Sequence, residues 1–301
     1  MKAVVLAAGR GNRLRPLTDR LPKPLVPYLN HPLLEWVLDS LKKNGVQEFF
    51  VNTFTQGEKV EEFLKTRREP VTFVREEVLR GTGGGVKNFQ PFLQGEEAFV
   101  VANADSLLTT PWRRSWETFL RSNAWMMMLL VDARRGYSLL STDETGKILF
   151  DPQGAFRGYT FTGISFWRPL LFDFLPEGPS DLGPTLFRNP RAHGKILGSP
   201  CSGPWIEFTD PLRYLSHHVH AARRAPKSFF RPGLHLSVVD PDAKVEEGCR
   251  IERSVLWEGS TVEGGSFLNR CILLPGAHVR PGERFEGSII LEDRREPLPT
   301  L

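Results

Sequence analysis

The sequence predicts an α/β protein, a doubly wound and mostly parallel sheet followed by a short parallel β-helix. Three observations carry this. Strand-like apolar runs alternate with helix-like runs over the first two thirds of the chain, the pattern of strands joined by crossover helices. The first apolar run, Ala3 to Ala8, passes straight into a turn containing Gly9 and Gly11. From about Phe229 onward, helical periodicity gives way to apolar residues six apart, punctuated by glycines, and that period marks the coils of a β-helix.

The elements follow in order. Ala3 to Ala8 reads as a buried strand. His31-Pro32 opens a helix with Leu34, Val37, Leu38 and Leu41 on one face, stopped at Gly45. Residues 48–54 read as the next strand, 57–65 as a helix, 71–74 as a strand and 97–102 as another. Ligands of such sheets bind beyond the carboxyl ends of strands, where the loops after Ala8 and after Ala102 fall. In the tail, the six-residue spacing joins Val245 to Ile251, Leu256 to Val262 and Leu268, and Leu273 to Val279 and Phe285. Gly248, Gly259, Gly265, Gly276 and Gly282 punctuate it. Roughly three coils are expected, and a solenoid that short leaves ends to be covered by the rest of the chain or by a second copy. The expected domains are residues 1–228 and 229–301.

Bulk properties narrow the function. With 301 residues, 40% hydrophobic and 25% charged, the chain is expected to be a soluble globular protein with room for two domains. A net charge of +4 is too small to indicate nucleic acid. Apolar runs are too short to span a bilayer, and a strand at the very start is expected to leave no room for a signal peptide. Cys201, Cys249 and Cys271 form neither a disulfide framework nor a zinc spacing, which makes the cytoplasm the expected location. His217, His218 and His220 have a metal-like spacing but are expected to be surface residues following a helix.

Residues 6–18 read Leu-Ala-Ala-Gly-Arg-Gly-Asn-Arg-Leu-Arg-Pro-Leu-Thr, and Pro22-Lys23-Pro24-Leu25 follows. The glycines let the backbone turn tightly and approach a ligand, and exposed amides in such a turn cradle phosphate oxygens. Arg10, Arg13, Arg15 and Lys23 add positive charge. A P-loop is excluded, and a dinucleotide fingerprint would need a third glycine where Leu14 stands. The longer string closely resembles the signature of the sugar-1-phosphate nucleotidylyltransferases, the NDP-sugar pyrophosphorylases. The resemblance is nearest to mannose-1-phosphate guanylyltransferase-like and N-acetylmuramate-1-phosphate uridylyltransferase-like members.

The resemblance implies a Rossmann-like nucleotidyltransferase fold with a left-handed β-helix tail, and it assigns residues. Leu6, Ala8, Gly9 and Gly11 would line the nucleotide, with Arg13 and Lys23 as the catalytic cations. Gly81-Thr82-Gly83-Gly84-Gly85 would lie against base and sugar, with Gly81, Thr82 and Gly84 binding the nucleotide and Glu76 reading the base edge. A carboxylate only accepts hydrogen bonds, which suits guanine N1–H and N2–H, and so GTP. Asn103-Ala104-Asp105 resembles the motif whose Asp holds catalytic magnesium, and an oxygen ligand suits that hard cation. Trp205-Ile206-Glu207 stands where the second metal ligand is expected, with Glu207 in place of Asp and Thr209 in place of Gly; Asp210 is the substitute ligand. Phe161-Thr162-Gly163-Ile164-Ser165 resembles the sugar-lining segment, with Gly163 at its centre. A Lys that holds the sugar phosphate is missing at Phe150-Asp151-Pro152, with Arg157 and Lys147 as replacements.

The implied reaction joins an NTP and a sugar-1-phosphate into an NDP-sugar and pyrophosphate. The attacking phosphate is already an anion and needs no protein base. The work is alignment and charge neutralisation, with magnesium on Asp105 and Glu207, Arg13 at the leaving pyrophosphate and Lys23 near the α-phosphorus. Two alternatives stay open. Glu207 and the missing Lys suggest a non-catalytic regulatory homologue that binds nucleotide sugars; an enzyme of the same fold would use another acceptor, such as phosphocholine. The expected partners are the two substrates, neither nucleic acid nor membrane, and a second copy through the tail.

Overall fold

The computed structural model describes residues 1–134, 136–137, 140–149, 158–224 and 233–299. Phe150-Asp151-Pro152, Arg157 and the expected boundary at 228/229 lie outside them. The chain forms two compact units. The first comprises Met1–Arg10, Pro22–Pro24 and Leu34–Glu207; the second comprises Gly11–Leu21, Leu25–Leu33 and the chain from Phe208 onward.

The first unit is built on a seven-stranded sheet. Its strands are β1 (Lys2–Leu6), β2 (Glu48–Thr53), β3 (Val71–Arg75), β4 (Phe99–Asn103), β6 (Met126–Asp132), β7 (Tyr159–Trp167) and β8 (Ile196–Pro200), in the order β8-β6-β7-β4-β1-β2-β3. A separate antiparallel pair joins β5 (Ser106–Leu108) to β9 (Trp205–Glu207). The sheet is parallel from β4 through β1 and β2 to β3, and between β6 and β8. Only β7 runs against both of its neighbours. In β2, Phe49, Phe50 and Val51 are all fully buried, as expected where helices cover both faces of a parallel sheet.

Helix α1 (Leu33–Lys43) buries Leu34, Val37, Leu38 and Leu41, a stripe at helical spacing, and the chain leaves it through Gly45 at φ 96°. It starts later than His31, because His31–Pro32 pairs antiparallel with Pro27–Tyr28. Helix α2 (Gly57–Lys65) lies where expected. The second glycine stretch forms the helix α3 (Gly81–Lys87). Its glycines are needed because another part of the chain lies on them. A Cβ on Gly84 would fall 2.4 Å from the Gly178 carbonyl oxygen, and one on Gly83 would fall 2.6 Å from Ser180 Oγ. Helix α4 (Arg113–Arg121) buries Trp116 and Phe119.

The second unit contains helix α5 (Pro211–Arg224) and a parallel β-helix of three strand stacks. Each strand pairs with the one 17 residues on: Leu234 with Ile251, Ile251 with Leu268, Leu268 with Phe285. The uniform six-residue step therefore fails at one corner of each coil, where Ile251 to Leu256 and Leu268 to Leu273 are five apart. The tight corner puts Leu236, Arg253 and Arg270 at φ 50°, 46° and 55°, with Gly287 in the next equivalent place at 55°. Ile251, Leu256, Val262, Leu268, Leu273 and Val279 all point inward and are fully buried. Outside, Phe267 lies between the guanidiniums of Arg250 and Arg284, at 5.7 and 4.6 Å.

Two expectations about side chains are settled here. His217, His218 and His220 lie within α5, and His218 is 1% exposed, not a surface residue. It falls four residues from both Tyr214 and Ala222, so all three share the buried face. Cys201, Cys249 and Cys271 are free thiols.

Candidate active site

The first glycine turn begins where β1 ends. Gly9 is exposed, and a Cβ there would meet nothing within 4 Å, so the backbone is open to a ligand. Gly11 adopts φ 67°, a left-handed conformation that favours glycine. Its carbonyl accepts hydrogen bonds from Leu14 N at 2.9 Å and Thr18 Oγ1 at 3.0 Å. That closes one turn over Asn12–Leu14, with Leu14 buried beneath it and Arg13 exposed to solvent. Leu6, Ala8 and Gly9 belong to the first unit, Gly11 and Arg13 to the second.

Lys23 Nζ forms an ion pair and hydrogen bond with Asp105 Oδ2, both side chains being largely buried at 12% and 23% exposure. The two sequence motifs thus meet directly. Asp105 is brought there by Ala104 N, which donates to Leu6 O at 3.0 Å and ties the loop after β4 to the end of β1. Antiparallel pairing of β5 with β9 sets Glu207 opposite Ser106, the residue after Asp105. Trp205 Nε1 locks this pairing by donating to Ser106 Oγ at 2.8 Å and to Thr162 O at 2.9 Å. Gly163, at φ 83°, follows Thr162 and lies beside the same group. A Cβ there would fall 3.0 Å from both Asn103 Nδ2 and Ser106 Cβ. Asp105, Glu207 and Gly163 therefore converge on one strand-end cluster.

This donor set fits a hard divalent cation. Asp105 and Glu207, from neighbouring backbone positions, would offer carboxylate oxygens to it, and such a cation fills its remaining positions with water and phosphate oxygens. Among the described residues, no group of three or more His, Cys, Asp or Glu side chains could hold a metal ion by itself.

Glu76 is 4% exposed. Its Oε1 accepts from Asn52 Nδ2 at 2.8 Å and Asn88 Nδ2 at 3.2 Å, and its Oε2 accepts from Arg80 N at 2.9 Å. Asn52 Oδ1 in turn accepts from Ala7 N at 2.8 Å. This network joins the first glycine turn to the start of α3, with Gly81 at φ 67° and Thr82 half-buried. Contact with a base edge would require the carboxylate to give up internal donors. Asn52 and Asn88 were not singled out from the sequence. The available signal for Asn52 was an asparagine directly after the apolar run Phe49–Val51.

The two suggested substitutes have roles of their own. Asp210 caps α5, accepting from Arg213 N at 2.9 Å and from Thr209 Oγ1 at 2.8 Å. Lys147 sits in a hairpin bridged to Leu197 of β8, at the sheet edge separated from β4 by β6 and β7.

A mostly parallel sheet with an open glycine turn, a lysine–carboxylate pair and a second acidic strand end is the framework of a nucleotidyltransferase. A family model described as nucleotidyl transferase matches residues 2–178, more than half of the chain, and the chain belongs to that family. It is 28% identical over 310 residues to a probable mannose-1-phosphate guanylyltransferase 2 of Oryza sativa subsp. japonica, covering 96% of this chain and 86% of that protein. It is 30% identical to an N-acetylmuramate alpha-1-phosphate uridylyltransferase of Neisseria meningitidis, covering 69% of this chain and 92% of that one. The fold also matches the crystal structure of a putative glucose-1-phosphate thymidylyltransferase from Bacillus anthracis. The TM-score is 0.65 at 20% identity, covering 77% of this chain and 98% of that one.

Proposed function

We propose that this nucleotidyltransferase joins GTP to a sugar-1-phosphate, with mannose-1-phosphate as the sugar, giving the NDP-sugar and pyrophosphate. The ion pair between Lys23 and Asp105 carries the reading, because it joins the Pro-Lys-Pro and Asn-x-Asp motifs at one strand end. The guanylyltransferase relative, matched over nearly the whole chain, supports the choice of sugar and base.

Leu6, Ala8, Gly9 and Gly11 offer backbone to the triphosphate. Gly81, Thr82 and Gly84 belong to the base side, with Glu76 behind them fixing the entry to α3. Gly163 leaves room for the hexose. Lys23 holds phosphate oxygens near the α-phosphorus, and Arg13 neutralises charge that builds on the departing pyrophosphate. Asp105 and Glu207 would hold magnesium, which supplies charge neutralisation between the two polyanionic substrates. The sugar phosphate attacks as an anion, so the chain need only align and desolvate it.

Residues 1–228 form the catalytic domain in this reading, and the β-helix tail from 229 serves structure and self-association. Among the described residues, no helix is long and apolar enough to cross a membrane; in this reading the enzyme works in the cytoplasm. The test is pyrophosphate release, each of the four NTPs against a panel of sugar-1-phosphates. GTP with mannose-1-phosphate should turn over fastest. No release from any pair would instead favour the regulatory, nucleotide-sugar-binding alternative.

A further inference from the structure

Lys23 is bracketed in sequence by two segments that both belong to the second unit, Gly11–Leu21 and Leu25–Leu33. Each is tied to the C-terminal part of that unit. On the near side, Arg20 donates to Pro275 O at 3.0 Å and pairs with Glu292 at 2.8 Å, and Asp19 pairs with Arg294 at 3.6 Å. These contacts are exposed, and exposed ion pairs are weak restraints.

The far side is held differently. Tyr214 Oη donates to Pro27 O at 2.7 Å and accepts from Trp257 Nε1 of the β-helix at 2.9 Å. Tyr214 is fully buried and Trp257 is 3% exposed. His218 Nε2 accepts from Leu29 N at 3.2 Å, and Asn30 Nδ2 donates to Val239 O at 3.1 Å. The Tyr28 ring packs 5.0 Å from both Phe208 and His218. The bond between Trp257 and Tyr214 is buried and those to Pro27 and Leu29 are part-buried, whereas that of Asn30 is exposed; a hydrogen bond shielded from water is costly to leave unmade. The link from Pro27 back to Lys23 is short and stiff. It runs through one 3-10 turn over Lys23–Leu25 that contains Pro24, and through Val26, whose carbonyl accepts from Leu33 N at 3.1 Å. Only three residues, one of them Pro24, separate Pro27 from Lys23.

We infer that Tyr214 and Trp257 are positioning residues for Lys23. The relay Trp257–Tyr214–Pro27 fixes the segment that delivers the lysine to Asp105, so the β-helix sets turnover as well as stability. This rests on the reading of Lys23 as a cation that holds substrate phosphate.

The test uses full-length Tyr214→Phe and Trp257→Phe, each alone and combined with Lys23→Ala, assayed well below their melting temperatures. The first readout is amide hydrogen exchange. Residues 25–30 should exchange at least about tenfold faster in Tyr214→Phe, with β2 and β4 unchanged. The second is turnover: kcat should fall about tenfold with KM within about twofold, and the loss should vanish in the Lys23→Ala background. Trp257→Phe, which keeps the phenol bond to Pro27, should show the same pattern more weakly. Wild-type exchange over residues 25–30 in Tyr214→Phe overturns the inference whatever the activity. The same fractional loss with and without Lys23 also overturns it, by making the role merely structural. Wild-type turnover in Lys23→Ala alone would sink the reading of Lys23 and, with it, the inference.

Discussion

Asn52 donates to Glu76 at 2.8 Å, and through that bond the ends of β2 and β3 hold both glycine stretches in register. The other face of the same amide accepts from Ala7 N, so one side chain couples the first glycine turn to the start of α3. Glu76 has donors on both oxygens, and a glutamine in its place must turn an NH2 group towards at least one of them. Glu76→Gln should therefore destabilise the fold by about 1–3 kcal/mol and slow turnover with every NTP. Urea unfolding and kcat for GTP and UTP check this. An unchanged midpoint with altered base preference would instead make Glu76 a direct reader of the base.

Asp105→Asn should cut turnover at least about a hundredfold, because it removes the partner of Lys23 and, in the proposed reading, a charged oxygen ligand of magnesium. Magnesium titration of activity should show weakened metal dependence in the same variant. Near wild-type turnover would sink the assignment of Asp105.

Arg13 is exposed on a turn whose backbone is closed by its own hydrogen bonds, so its removal should leave the turn intact. Arg13→Ala should lower kcat far more than it weakens NTP binding. Calorimetric affinity that collapses in step with kcat would make Arg13 a ground-state binder.

His218 gives a pH prediction with a definite sign. Burial lowers its pKa from the ordinary 6.5 to about 3, helped by the neighbouring His217 and opposed by the bond to the Tyr214 carbonyl. The folded ring stays neutral while the unfolded chain takes up a proton below about 6.5. Stability contributed by the neutral ring is therefore full above pH 6.5 and is lost as pH falls towards 3, at up to roughly 1.4 kcal/mol per pH unit. His218→Gln can keep both bonds without titrating, so its melting temperature should fall less steeply between pH 6 and 4. Parallel curves for variant and wild type would refute the assignment.

Much of this was legible because it is local. The apolar run into Gly9 and Gly11, the Pro-Lys-Pro string and the Asn-x-Asp motif each sit within a few residues, and local backbone demands fix them. What escaped depends on partners distant in sequence. The burial of Glu76 needs Asn52, 24 residues earlier, and the glycines of α3 are explained by Gly178 and Ser180. His218 looks like a surface histidine until Tyr28 and Leu29 pack on it. The five-residue corner was hidden because its left-handed position is filled by Arg253 and Arg270, residues that carry no glycine-like signature.

The 17-residue coil makes the tail a ruler with one graduation. Up to the last coil, where Ser288–Ile290 pairs antiparallel with Arg295–Pro297, each strand stacks on its counterpart one coil later, and each coil touches chiefly its immediate neighbours. Length can therefore change cleanly only in whole coils: excising one complete 17-residue block rejoins equivalent strands and preserves inward and outward faces. Loss of a single residue does the opposite, swapping inward leucines and valines for outward arginines and glutamates from that point to the end of the stack. Point substitutions in the tail should thus be tolerated according to which face they occupy, whereas frame within the coil is a property the whole stack must keep together.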